Sequence, residues 1–150
     1  MFKENIRATG QVSFVLTDEN GNIKQQDSKN LVVNPGLAFI VSRMTGTAAT
    51  VMSHMAIGTG TTAAAAAQTT LVTESVRVAL TSSTVVTTTV TGDSVQYIAA
   101  FGPGVGTAAI TEAGIFNAAS AGTMLARTAF PVINKGANDT LTLTSKITVA

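Results

Sequence analysis

The chain contains no cysteine and no tryptophan, a single histidine, and only 11% charged residues over 150 positions. Without cysteine there are no disulfides and no thiolate metal sites. With one histidine, a Ser-His-Asp triad has His54 as its sole available base, and His54 lies in the apolar run Met52-Ser53-His54-Met55, where an imidazole is ordinarily structural. One histidine, no cysteine and sparse carboxylates also leave a metal shell incomplete. Aromatics make up 5% of the residues, which leaves little stacking surface for sugars or single-stranded nucleic acid. No stretch approaches the ~20 apolar residues that span a bilayer, and residues 1–10 lack the apolar core of a secretory signal. The product is therefore expected to be made in a cytoplasm, away from any membrane, and to remain there or join an assembly.

Charge is the unusual scarcity: 11% against 45% hydrophobic residues, where an ordinary soluble domain has about 25% charged residues. Thr, Ser, Ala and Gly must cover the surface instead. With a formal net charge of +1, identical copies repel one another weakly, so a homo-oligomer or lattice is expected. The charges that exist crowd the start, at Lys3, Glu4, Arg7, Asp18, Glu19, Lys24, Asp27 and Lys29, whereas residues 44–73 carry none. Their signs alternate and nearly cancel, which suits a solvated hairpin and not a basic arm for nucleic acid.

The length fits one domain with a core of its own. Val12, Phe14 and Leu16 alternate with Gln11, Ser13 and Val15, Asn20-Gly21 offers a tight turn, and a returning strand reaches Val33. Residues 1–33 thus read as an N-terminal β-hairpin or attachment segment, and residues 34–150 as a β-sandwich core joined to it in one compact unit. Asp18, Asn20 and Asn22 imitate the start of a calcium loop, but Ile23 stands where its glycine belongs. A helix is predicted over 35–45, with Asn34 as cap, Pro35 at the first position, Leu37, Ile40, Val41 and Met44 on the docking face, and Gly46 as stop. It is too short to persist undocked.

Strands follow over 51–57, around Val76, Val78 and Leu80, over 84–91, through Val95, Tyr97, Ala99 and Phe101, over 111–117 and over 124–130, the last bounded by Pro131. Residues 61–70 read as an irregular connection. Gly102-Pro103-Gly104-Val105-Gly106 is a breaker, and residues 136–139 make the final turn. The closing strand sets Leu141, Leu143, Ile147 and Val149 on one face and a threonine ladder on the other. Short strands at regular spacing with one helix predict a mainly β fold, an antiparallel sandwich or jelly-roll-like domain.

Chemistry finds little footing. Glycosidase action needs two carboxylates close together, and nothing local pairs Glu74, Asp93 and Glu112. Gly58-Thr59-Gly60-Thr61-Thr62 lacks the lysine of a phosphate loop, and Gly102, Gly104 and Gly106 miss the dinucleotide spacing. No catalytic, cofactor-binding or metal residues are expected.

Three runs carry a resemblance: Asn30-Leu31-Val32-Val33-Asn34 leading into the helix, Ala56-Ile57-Gly58-Thr59-Gly60-Thr61-Thr62, and Thr111-Glu112-Ala113-Gly114-Ile115-Phe116-Asn117. The last continues into Thr123-Met124-Leu125-Ala126-Arg127-Thr128 and Lys135. Together they resemble a family of small bacteriophage virion proteins of the tail-fibre and decoration kind. The resemblance implies a β module of the virion, often homotrimeric, whose partners are copies of itself and the major capsid or other virion proteins. A capsid decoration or cement protein is the leading expectation. A small tail or head fibre, a tail adaptor, and a glycan-binding module using loops 61–70 or 102–106 are the alternatives. Relatives often carry an aromatic near Ser145, and its loss here thins the packing of the last strand. The structural and interface candidates are Asn34, Pro35, Gly58, Gly60, Glu112, Gly114, Phe116, Asn117 and Arg127. Among them, Glu112 and Arg127 are expected to pair across strands and set register, and Gly114 suits a bulge or a close subunit approach.

Overall fold

A computed structural model describes residues 4–46 and 49–150. Alternating apolar and β-branched residues build strands β1 (Ala8–Thr17), β2 (Ile23–Val32), β3 (His54–Gly58), β4 (Glu74–Ala79), β5 (Ser82–Val86), β6 (Ser94–Phe101), β7 (Ala108–Phe116), β8 (Met124–Lys135) and β9 (Thr140–Val149), with helix α1 (Asn34–Ser42) between β2 and β3. All join one sheet in the order β4-β3-β7-β8-β2-β1-β9-β6-β5, and every neighbouring pair is antiparallel. The mainly β architecture and the N-terminal hairpin match expectation. The two layers are halves of a single sheet that curls through β2.

The two outermost strands of that order are consecutive in the chain. Leu80 donates its N–H to Ser53, extending the pairing of β4, and Thr81 donates to Ile98, beginning that of β5. One bent segment therefore ties the ends of the curled sheet together at a corner. Phe14, Met55, Ile57, Phe101, Ile110, Ile115, Leu141 and Leu143 fill the interior. The hairpin of β1 and β2 belongs to this core, because the two strands lie in the middle of the sheet and the Phe14 ring packs 4.2 Å from that of Phe130. Asp27 and Lys29 lie on the other face, whereas Lys24 stands opposite Leu16 on the core side, exposed near the end of the hairpin. Asp18 is used locally: its carboxylate accepts the N–H groups of Asn20 and Asn22 and the Asn22 side-chain amide, shaping the hairpin turn.

Several local expectations change. Asn34 does not cap α1. Val33 holds the cap position without a side-chain bond, and Asn34, inside the first turn with Pro35, donates its N–H to the Ala66 carbonyl. Burial of Val33 beside Leu71, Phe116 and Met124 fixes where the helix begins. The docking face also differs: Gly36 is buried and Phe39 and Ile40 pack on the core, whereas Leu37, Val41 and Met44 are exposed. Gly36 decides the rotation, since a Cβ there would lie 2.0 Å from the carbonyl oxygen of Leu125. The helix stops at Ser42, whose hydroxyl bonds back to Phe39, four residues before Gly46.

Residues 51–53 stay outside β3, with Val51 exposed. Residues 87–93 form a turn instead of continuing β5, because the Asp93 carboxylate accepts the N–H groups of Thr88, Thr89 and Val90. These bonds hold the Asp93 carboxyl far below the usual carboxylate range. β8 runs through Pro131. β2 pairs with β8 only at Leu31 and Val32, and the β7 ladder shifts register between Ile110 and Glu112, so a missing N–H at Pro131 costs no ladder bond.

Candidate functional site

The densest polar arrangement lies on the outer face of β7 and β8, under the connection from residue 59 to residue 73. Glu112 and Arg127 are both fully buried, with 2.8 Å between Glu112 Oε2 and Arg127 Nη2. The pair is diagonal and not directly opposite, since Glu112 faces Ala129 and Arg127 faces Gly114. Each carboxylate oxygen has several donors. Oε1 accepts the N–H groups of Thr73 at 2.6 Å and Gly60 at 3.0 Å. Oε2 accepts Val72 N–H at 2.9 Å together with Arg127 Nε and Nη2. Burial by itself pushes the Glu112 carboxyl up, but the bonds from Thr73, Val72, Arg127 and Gly60 outweigh it and hold the group below its ordinary value.

Arg127 completes the clamp by donating Nη1 to Gln68 Oε1 and Nη2 to the Thr62 carbonyl. Gln68 Oε1 also accepts Ala65 N–H, and Thr111 Oγ1 donates to the Gly60 carbonyl. The alanine- and threonine-rich connection is thereby fastened at both ends and in the middle. Glycine is required where it presses on the carboxylate: a Cβ at Gly60 would stand 2.5 Å from Glu112 Oε1, and one at Gly58 2.2 Å from the Thr73 carbonyl oxygen.

The remaining candidates surround this clamp. Gly114 admits the Leu71 side chain from above, with a notional Cβ 3.0 Å from Leu71 Cδ2. It faces the chain's own connection, and the ladder irregularities fall elsewhere, between Ile110 and Glu112 and between Ile115 and Phe116. Phe116 is buried beneath the Arg77 guanidinium, 3.6 Å from the ring centroid. Arg77 also pairs with Glu74 and donates to the carbonyls of Ala118 and Ala121, fixing the β7–β8 turn. Asn117 closes that turn by accepting Thr123 N–H. Asn34 tethers residue 66, while Pro35 stands in the helix beside it.

The contacts of Gln68, Arg77, Asn30 and Ser145 were not foreseen from the sequence, although Asn30 and Ser145 entered through the resemblance. Asn30 Nδ2 donates to Ser145 Oγ inside the core. No local pattern foretells the Gln68–Arg127, Arg77–Phe116 or Asn30–Ser145 contacts, since each joins positions distant in the chain. Lys135 carried a signal only through the resemblance. It is buried, donates Nζ to the carbonyls of Gly102 and Asp139, and has its pKa drawn down by burial, with Asp139 opposing.

The three carboxylates that could have served catalysis are each held in a structural role, Glu74 with Arg77, Asp93 in its turn, and Glu112 in the clamp. His54 Nδ1 lies 2.8 Å from the Ser53 hydroxyl. No group of three potential metal ligands occurs among the described residues.

Besides a concavity of about 610 Å³ lined by Leu31, Thr61 and Phe130, two larger ones lie among the described residues. One is a polar trough of about 660 Å³ on the outer face of β2, β1, β9 and β6. The other is a more apolar groove of about 710 Å³, with Phe39, Ile40 and Val51 on one side, Ser83, Thr84 and Val85 on the other, and buried Tyr97, Leu125 and Ile147 beneath. No protein-family model, curated protein or solved structure matches the chain.

Proposed function

We propose that this chain is a non-enzymatic structural protein of a bacteriophage particle, a decoration or cement protein that adds to the head surface and packs with copies of itself. The observation that carries the reading is an exterior poor in charge and rich in unshielded apolar side chains. Met44 is 84% exposed, Val85 71%, Val90 66% and Val41 60%. Isolated exposed apolar residues are ordinary, but here they accompany a surface with little charge to keep copies apart. The Glu112–Arg127 ion pair is placed inside, in the clamp that holds residues 60–73 against the sheet. The resemblance of residues 111–117 and 123–128 to virion proteins supplies the context.

Purified protein mixed with undecorated capsids should bind to a saturable stoichiometry and raise the temperature at which the heads rupture. Failure to bind any particle component overturns the reading. A second reading, recognition of a host glycan, draws on the polar trough, where Lys29, Gln11, Lys146 and Gln96 stand directly across from one another on four adjacent strands. It predicts adsorption to host cells and competition with infection. Loops 61–70 and 102–106 are held in place by the clamp and by bonds from Lys135 Nζ and Gly104 N–H, respectively.

A further inference from the structure

The two ends of the curled sheet are guarded differently. β4 carries Glu74 and Arg77, joined at 2.8 Å, and charge on an edge strand discourages pairing with another chain. β5 has no such device. Residues 78–92 contain no Asp, Glu, Lys, Arg or Pro, and the strand itself reads Ser-Ser-Thr-Val-Val. β5 pairs with β6 on one side only, and no described segment pairs with the other. Val85 shares the core-side face with Val95 and Tyr97 but is 71% exposed, because β5 borders the apolar groove. A β-branched, uncharged, proline-free edge is the kind of strand that recruits another.

We propose that the free edge of β5 pairs antiparallel with β5 of a second copy of this chain, joining two curled sheets across a two-fold axis. The second copy is the occupant because the seam is self-complementary: paired with itself, the strand sets only Ser, Thr and Val against one another. The groove beside it carries one cation, Arg43, and one anion, Asp93, and so favours no partner of strong charge. Antiparallel pairing also sends the two Asp93 carboxylates, at the end of the β5–β6 turn, to opposite ends of the seam, whereas parallel pairing would bring them together. The choice of a second copy rests on the assembly reading above. It specifies a closed, isologous dimer, in place of the trimer that the resemblance implies.

Sedimentation of the full chain should give twice the 15.2 kDa monomer mass. Val85→Lys should return the monomer with an unchanged circular dichroism spectrum and a melt that no longer depends on protein concentration, while Val132→Lys, at a residue 51% exposed on β8, should leave the dimer intact. Since the chain lacks cysteine, single variants Ser83→Cys, Thr84→Cys and Val85→Cys can each be oxidised. At least one should form a covalent dimer in high yield, and Gln11→Cys on the open sheet face should not. This cross-link decides the matter if Val85→Lys fails to fold. A monomeric or trimeric wild type, a folded Val85→Lys dimer, or no cross-link at any of the three positions overturns the proposal. Capsid binding is scored separately. A dimer that ignores capsids keeps the seam and removes the virion reading, and a monomer that binds them does the reverse.

Discussion

The two halves of the curled sheet solve the same covering problem in opposite ways. Across β3, β7 and β8 the outer face is roofed by residues 59–73, held down by Glu112 and Arg127. Across β2, β1, β9 and β6 it stays open, paved with Gln, Ser, Thr and Lys. In the roofed half, one buried ion pair satisfies three backbone N–H groups and one carbonyl, so its loss exposes many unpaired groups at once. In the open half most side chains face water, and the side-chain bonds join small hydroxyls, as in the Thr88–Ser94–Thr148 group. A protein with few charges has thus placed its strongest pair where a low dielectric magnifies it.

The largest expected effect comes from breaking that pair. Glu112→Ala leaves Arg127 buried without its counter-ion and should cost about 3–5 kcal/mol in urea denaturation. The double variant Glu112→Leu with Arg127→Met should recover much of that loss, because no uncompensated charge remains. Additive losses would show that the two side chains act independently. Next in size is Gly36→Ala, which drives a methyl into the Leu125 carbonyl and should cost about 1–3 kcal/mol, with early loss of helical signal on heating.

Acid should separate the halves more gently. The Glu112 carboxyl lies below its ordinary value near 4.5, so the clamp's contribution is complete above that value and is lost as pH falls through the lower folded-state pKa. Stability against pH should show a falling limb on the acid side of 4.5 that Glu112→Gln removes. An unchanged limb would assign acid loss to other carboxylates, Asp93 foremost. The smallest effect belongs to the open face: Gln11→Ala should fall within about 0.5 kcal/mol of wild type.

The strand pattern was legible where one face meets the core and the other meets water. β9 shows this best, since Leu141, Leu143 and Ile147 alternate with threonines as its burial alternates. Legibility failed where a single distant contact overrides local preference. The apolar stripe of α1 pointed to Leu37, Ile40, Val41 and Met44, but backbone contact at Gly36 turned the helix so that only Ile40 of the four packs on the core. Residues 87–91 are as β-prone as β5, yet one carboxylate at Asp93 folds them into a turn. At the candidate site, the Glu112–Arg127 partnership was visible from their isolation in a charge-poor stretch. Its third member, Gln68, was not, because a glutamine in an alanine and threonine tract carries no periodicity to give it away.

Composition and period-two alternation alone therefore determined a β-rich, sparsely charged domain with one short helix, because side-chain alternation and burial are local consequences of a pleated strand. Which ends of the sheet meet, which face of the helix docks, and what Glu112 holds were decided only by tertiary structure. Those outcomes depend on close approach between segments far apart in the chain, where a few tenths of an ångström at a glycine or a hydrogen bond select one arrangement among many that the local pattern permits.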